Sequence, residues 1–233
     1  DEAEWAPAGD AVAAVRARST DDVRRIVATC AERGIPVVTR GAGTGLSGGA
    51  NAVDGCLILD LSTMDKIVEV DAENMVVVVQ PGVVNDDLKA AVAEHGLWYP
   101  PDPASAAWST IGGNVATNAG GLCCLKYGVT TNNVLGLEIV LIDGTVVRLG
   151  GKHLDSEGYD LLGLLNGSEG LLGVITEVTV RILKRPATAR ALLIGFPSNE
   201  SAGDCVAAVI GAGIIPGGME MMDKPAIHAA EAF

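Results

Sequence analysis

Glycine-dense stretches hold the residues best suited to chemistry in this chain: RGAGTGLSGGA over residues 40–50, TIGGNVATNAGG over 110–121, and the run 167–173 in NGSEGLLGV. A glycine carries no side chain to block its own N–H, so successive amides in such a loop can converge on one oxygen of an anion and form a nest. A single loop of this kind reads equally well as a tight turn packed on a neighbouring strand. Three of them, each following apolar structure, can line one long groove for an extended anionic ligand.

Two familiar phosphate motifs fail on spacing. Gly43, Gly45 and Gly48 satisfy GxGxxG, but that fingerprint needs a helix to begin inside it, and only about seven residues separate Gly48 from the apolar run at Cys56. No Lys-Ser or Lys-Thr pair follows the glycines, which excludes a Walker A loop. The first loop therefore joins strand to strand.

Charge and composition narrow the classes further. A net charge of −13 with no basic cluster argues against nucleic acid or an anionic membrane as partner. A phosphate-bearing ligand would have to be held by backbone amides and by a local cation such as Arg40. The five cysteines show no CxxC pair, which fits a reducing, cytoplasmic compartment, and His95, His153 and His228 form no metal-binding pattern. These residues show no signal-peptide pattern and no apolar run of membrane-spanning length, so no membrane segment is expected in them.

The elements that must position these loops are legible. STDDVRRIVATCAERG predicts a helix capped by Thr20 and stopped at Gly34, with Val23, Ile26, Val27 and Cys30 as its buried stripe. Strands are expected at Ile35–Thr39, Cys56–Leu61, KIVEV and MVVVVQ, then a helix capped by Asn85 and running to Gly96. The second glycine segment reads as a loop, followed by a hairpin turning at Asp143-Gly144. A short apolar helix, the third loop and a long alternating strand complete the pattern. Beyond residue 188 the sequence predicts strand, helix over 198–211, strand and a last helix, which looks like the opening of another layer and suggests a fragment of a longer protein.

Seven motifs in order, RGAGTGLSGGA, VQPGV, PPDPAS, TIGGNVATNAGG, LKYG, VLGLEIVL and NGSEGLLGVITEVTVRIL, resemble the FAD-binding domain of the vanillyl-alcohol oxidase and p-cresol methylhydroxylase superfamily. Within it they are similar to the FAD-linked subunits of glycolate oxidase and to D-lactate and D-2-hydroxyglutarate dehydrogenases. The resemblance spans residues 10–233. It implies an α+β fold of two subdomains, a small parallel α/β unit over about 10–80 and a larger antiparallel sheet with helices over 81–188, followed by an incomplete substrate or cap domain over 189–233.

By the same resemblance, Arg40, Gly41, Ala42, Gly43, Thr44, Gly45, Leu46 and Ser47 cradle the FAD pyrophosphate. Thr110, Gly112, Gly113, Asn114, Ala116, Thr117, Ala119, Gly120 and Gly121 run along the pyrophosphate, ribityl chain and flavin. Pro103 and Ser105 border the groove, Tyr127 follows it, and Glu169, Gly170, Gly173 and Val174 lie toward the adenosine end. The implied activity is oxidation of a small 2-hydroxy acid, of the glycolate or D-lactate type, to the 2-oxo acid by hydride transfer to flavin. An electron-transfer subunit or quinone would take the electrons, and contact with a membrane would come only through a partner. A different class of function, a non-catalytic flavin-binding or scaffold module of a multisubunit oxidoreductase, uses the same fold.

Departures from the family pattern sharpen the expectation. Where such proteins read PHCLKYG, this chain has Leu122 and Cys123 in place of proline and histidine. Where some members attach FAD through a histidine of the first loop, Thr44 stands here, so FAD is expected to be non-covalent. Cys123 and Cys124 are expected to be free thiols, because neighbouring residues rarely meet disulfide geometry. Lys126 reads as a cation near the phosphates or a solvated residue, and Met219, Met221 and Met222 as packing residues. No catalytic residue and no metal ligand is assigned within the chain.

Overall fold

The computed structural model describes residues 3–154 and 158–233. Its first unit is a parallel three-stranded sheet. β1 (Ala13–Arg16) leads into α1 (Thr20–Arg33), which returns the chain to β2 (Val37–Arg40), and β3 (Leu57–Asp60) pairs with both in the order β1-β3-β2. α1 forms where Ser19 accepts a hydrogen bond from the Asp22 amide, Asp21 and Asp22 face the positive helix end, and Gly34 closes it at φ 65°. The cap is thus Ser19 and not Thr20, whose hydroxyl instead donates to Glu138 at 2.7 Å. Val23, Val27 and Cys30 are buried as expected, with Ile26 partly so.

β4 (Ile67–Asp71) and β5 (Val76–Val79) open the larger sheet. α2 (Asn85–Ala93), β6 (Leu97–Trp98), α3 (Ile111–Thr117) and α4 (Cys124–Tyr127) follow, then β7 (Val134–Val140), β8 (Val146–Gly150), α5 (Leu161–Leu165), β9 (Val174–Arg181) and β10 (Leu183–Lys184). The sheet order is β4-β5-β9-β7-β8, with every pair antiparallel, while β10 pairs with β6 apart from it. The change from parallel to antiparallel therefore comes before residue 80, because β4 and β5 already belong to the second sheet. Gly144 at φ 83° makes the β7–β8 turn, and the Asp143 carboxylate accepts from the Thr145 amide.

Every residue of β5 and β7 is buried, which their near-continuous Val, Leu and Ile content requires in a sheet covered on both faces. One face packs against α2, α3 and Tyr99 in the main core. The other meets α1, where Val140 and Val174 join Val23, Val27 and Leu59 in a second core that ties the two sheets together.

α6 (Asn199–Gly211) and α7 (Lys224–Ala232) lie where helices are expected, each with a side-chain cap, from Ser198 and Asp223. The strands expected over 189–197 and 212–222 do not form. Leu192 and Leu193 are 86% and 103% exposed, and among the described residues no strand pairs with this stretch. An extended segment with no partner gains nothing for its backbone groups over hydration by water. No helix among the described residues is long and apolar enough to cross a membrane.

Candidate functional site

The first glycine loop leaves β2 at Arg40, directly opposite Asp60 of β3, and is a long excursion between two neighbouring parallel strands. Gly43 and Gly48 take φ of 76° and 83°, values that only glycine adopts freely. Among the described residues, no backbone N–H from Gly41 to Ala50 donates to another group of the protein. Such a run of unsatisfied donors calls for an anion or water.

The second glycine segment is helical over 111–117, where a loop is expected, and irregular over 118–121. Thr110 caps α3 by accepting from the Gly113 amide at 3.3 Å, and Asn118 ends it in the left-handed region at φ 48°. Glycine is poor in helices, but here it permits contact: a Cβ on Gly112 would lie 2.5 Å from Pro81 Cβ, and one on Gly41 would lie 2.4 Å from Thr110 Oγ1. Amides of Ile111 and Gly112 donate to the carbonyls of Val83 and Pro81, which is how the VQPGV turn docks. Asn85 does not cap α2. Val84 occupies that position, and the buried Asn85 amide instead donates to Asn114 Oδ1 at 2.9 Å, while Asn114 donates to Ser109 Oγ at 3.1 Å.

The third loop closes the cleft. Amides of Gly167 and Glu169 donate to the carbonyls of Val115 and Ala116, and Glu169 is held at φ 51°. Its carboxylate lies against the first loop, since a Cβ on Gly49 would sit 2.7 Å from Glu169 Oε2. A Cβ on Gly170 would likewise meet Thr39 Oγ1 at 2.5 Å.

One cleft results, and most of the expected residues line it. Arg40, Gly41, Ala42, Gly43, Thr44, Gly45 and Ser47 come from the first loop; Thr110, Gly112, Gly113, Asn114, Ala116, Thr117 and Ala119 from α3 and its flanks; and Ser105, Glu169, Gly170 and Gly173 from the remainder. Six expected residues are not in its wall. Leu46 points outward and Val174 is buried in β9 opposite Val140. Pro103, Gly120, Gly121 and Tyr127 do not line it either: Gly121 approaches the Asp102 carbonyl so closely that a Cβ would lie 1.9 Å away, and the Tyr127 ring meets Trp98 edge-on at 4.8 Å. Sequence reasoning missed Thr39, Gly49, Ala50, Leu61, Pro81, Ser109 and Ile175. VQPGV had marked Pro81 as part of a motif, but nothing local to Leu61 or Ile175 signals a cleft.

Lys89 and Asp102, neither of which lines the cleft, form an ion pair. Burial, reinforced by the nearby Asp102 carboxylate, pushes the Cys123 thiol above its ordinary range. All five cysteines are free, and Cys124 Sγ accepts from the Gly121 amide. No cluster of three metal-ligating side chains occurs among the described residues. None of the three histidines lines the cleft.

Comparison with known proteins shows the family. Residues 11–150 match the family described as FAD binding domain, and residues 185–233 match the C-terminal domain of FAD linked oxidases. The chain belongs to the FAD binding domain family. It is 50% identical over 216 residues to the glycolate oxidase subunit GlcD of Escherichia coli (strain K12), covering 93% of this chain and 43% of that protein. It is 42% identical over 223 residues to a D-lactate dehydrogenase of Anaerostipes hadrus, covering 94% and 46%. A solved alkyldihydroxyacetonephosphate synthase superposes with a TM-score of 0.76 at 23% identity, over 88% of this chain and 38% of that one, which shows the shared fold. The chain spans less than half the length of these relatives. FAD is the family's cofactor, and the residues present fit it: the first loop lines the cleft with amides that donate to no other group among the described residues, and a Cβ on Gly45 would meet nothing within 4 Å.

Proposed function

We propose that this chain is the FAD-holding part of an enzyme that oxidises a small 2-hydroxy acid, of the glycolate or D-lactate type, to the 2-oxo acid. The observation that carries this reading is the convergence of all three glycine segments on one cleft, lined on one side by a loop whose backbone amides have no acceptor among the described residues. The names of the relatives supply the substrate class. Residues 10–188 form the FAD-binding domain and 189–233 the first part of a substrate domain.

Bound FAD supplies a hydride acceptor at flavin N5. The first loop, with Arg40 at its base, offsets the pyrophosphate charge by backbone N–H groups, which are aimed before the cofactor arrives and so cost little reorganisation. α3 and its flanks carry the cofactor's length, with Asn114 fixed in orientation by Asn85 and Ser109. Glu169 and Gly170 close the adenosine end. Thr44 cannot form the histidyl bond of some family members, so FAD is held without a covalent link. The family resemblance assigns the proton acceptor and the carboxylate anchor to the substrate domain, and none of His95, His153 and His228 lines the cleft. An electron-transfer subunit or a quinone takes the electrons, in the cytoplasm or at a membrane through a partner.

Purified protein reconstituted with FAD tests the reading. A flavin spectrum, with all flavin released by acid precipitation, is the expected result; no bindable FAD overturns it, and flavin left in the precipitate overturns the non-covalent assignment. Bleaching of the flavin by glycolate or D-lactate in the whole protein, set against aromatic alcohols and sugar lactones, checks the substrate class.

A further inference from the structure

The first glycine loop has almost no hydrogen bonds of its own, so something else must hold its shape. One end is fixed by the β2–β3 ladder, where the Leu61 amide donates to the Arg40 carbonyl at 2.9 Å. The other end is Asn51. Its backbone amide donates to the Gly48 carbonyl at 3.0 Å, and its buried side-chain Nδ2 donates to the carbonyls of Ala3 and Ala6, both at 3.2 Å, and Pro7 at 3.5 Å.

These carbonyls belong to an N-terminal arm that runs beside the return limb of the loop. The Gly9 amide donates to Ala52 at 2.7 Å, Asp10 to the Asp54 carboxylate at 2.9 Å, and Val12 to Cys56 at 2.8 Å, after which the arm becomes β1. Contact at the far end is close: a Cβ on Gly48, itself at φ 83°, would lie 2.7 Å from Ala6 Cβ. Ala3 is 1% exposed. Neither Asn51 nor any arm residue lines the cleft, whereas Gly49 and Ala50, immediately before Asn51, do.

We propose that Asn51 is a positioning residue for the cofactor: it clasps the arm of residues 3–9 to the loop of residues 41–50, so that arm docking and FAD binding order the same backbone and strengthen each other. The inference rests on the reading of this loop as the FAD pyrophosphate nest. Ordering ten flexible residues opposes binding, and a loop already clasped has less freedom left to lose. Because coupling is reciprocal, whatever factor the arm adds to FAD affinity, FAD adds to arm docking.

The experiment uses the full chain, stripped of flavin and titrated with FAD, with apo stability and amide exchange followed in parallel. Asn51→Ala is expected to weaken FAD about tenfold, the equivalent of one or two lost hydrogen bonds. Asn51→Asp has the same shape but presents an acceptor to three carbonyls, and is expected to bind FAD no better than the alanine variant. Val23→Ala, a core change in α1, is expected to lower apo stability and leave FAD affinity unchanged. In the wild type, FAD should slow exchange over residues 3–9 as well as 41–50, a readout that needs no variant to fold. Unchanged affinity in Asn51→Ala, full retention in Asn51→Asp, or FAD protection confined to 41–50 would each overturn the coupling. A wild type that binds no FAD would instead overturn the cofactor reading, and this inference with it.

Discussion

Asn85 Nδ2 and Asn114 Oδ1 are 2.9 Å apart, and both side chains are buried. This contact joins the first turn of α2 to the middle of α3, and so fixes the amide that α3 presents to the cleft. Asn85 Oδ1 has no partner among the described residues, so the pair stands at the edge of what a core tolerates. Asn85→Ala is expected to destabilise the fold by about 1–3 kcal/mol, the cost of leaving Asn114 short of a donor. It should also weaken FAD binding. Chemical denaturation and a flavin titration check the two effects separately.

Two glycines separate packing from binding. A Cβ on Gly112 would strike Pro81 Cβ, so Gly112→Ala must push α3 off its turn and is expected to lose about 1–3 kcal/mol of apo stability. Gly45 has nothing within 4 Å of the corresponding position and no positive φ. Gly45→Ala should melt like the wild type yet bind FAD at least tenfold more weakly, a loss of about 1.4 kcal/mol or more. Thermal melts without flavin, beside titrations with it, distinguish the pair.

Glu138 is a buried carboxylate at the junction of the two sheets. It accepts from Thr20 of α1 at 2.7 Å and from Thr176 of β9 at 2.9 Å, and pairs with Arg148. Glu138→Ala leaves the Thr20 hydroxyl without its acceptor, while Thr176 keeps the backbone carbonyl of residue 138 and Arg148 keeps Glu177, and is expected to cost about 2–3 kcal/mol in a denaturant melt. Thr20→Val should cost less, about 1 kcal/mol, because one hydrogen bond is removed and Glu138 keeps its other partners.

Cys123 gives a pH signature. Burial and Asp102 raise its thiol pKa, so less of it is thiolate at any pH near neutrality than for free cysteine. Alkylation by iodoacetamide, read at this residue by mass spectrometry, should lag the free amino acid at pH 8 and approach it only as pH rises through the elevated value. Asp102→Asn removes one raising influence and should shift that rise to lower pH; an unchanged profile would count against the assignment to Asp102.

The sequence by itself determined the family, α1, the β7–β8 hairpin and where the glycine segments lie, because those features are local. Glycine density marks where amides are left bare, Ser19 to Gly34 carries its own start and stop signals, and Asp143-Gly144 makes its own turn. What only the tertiary structure decided depends on partners far along the chain. TIGGNVAT reads as a loop because glycine opposes helix, yet it is helical, capped by Thr110, and its Gly112 is explained by the close approach of Pro81. Asn85 reads as a cap but turns inward to Asn114, and Leu192 and Leu193 read as strand but pair with no strand among the described residues. Asn51 shows no local signal at all; its importance appears only when residues 3–9 are laid beside it, because hydrogen bonding is set by proximity in space and not by neighbours in sequence.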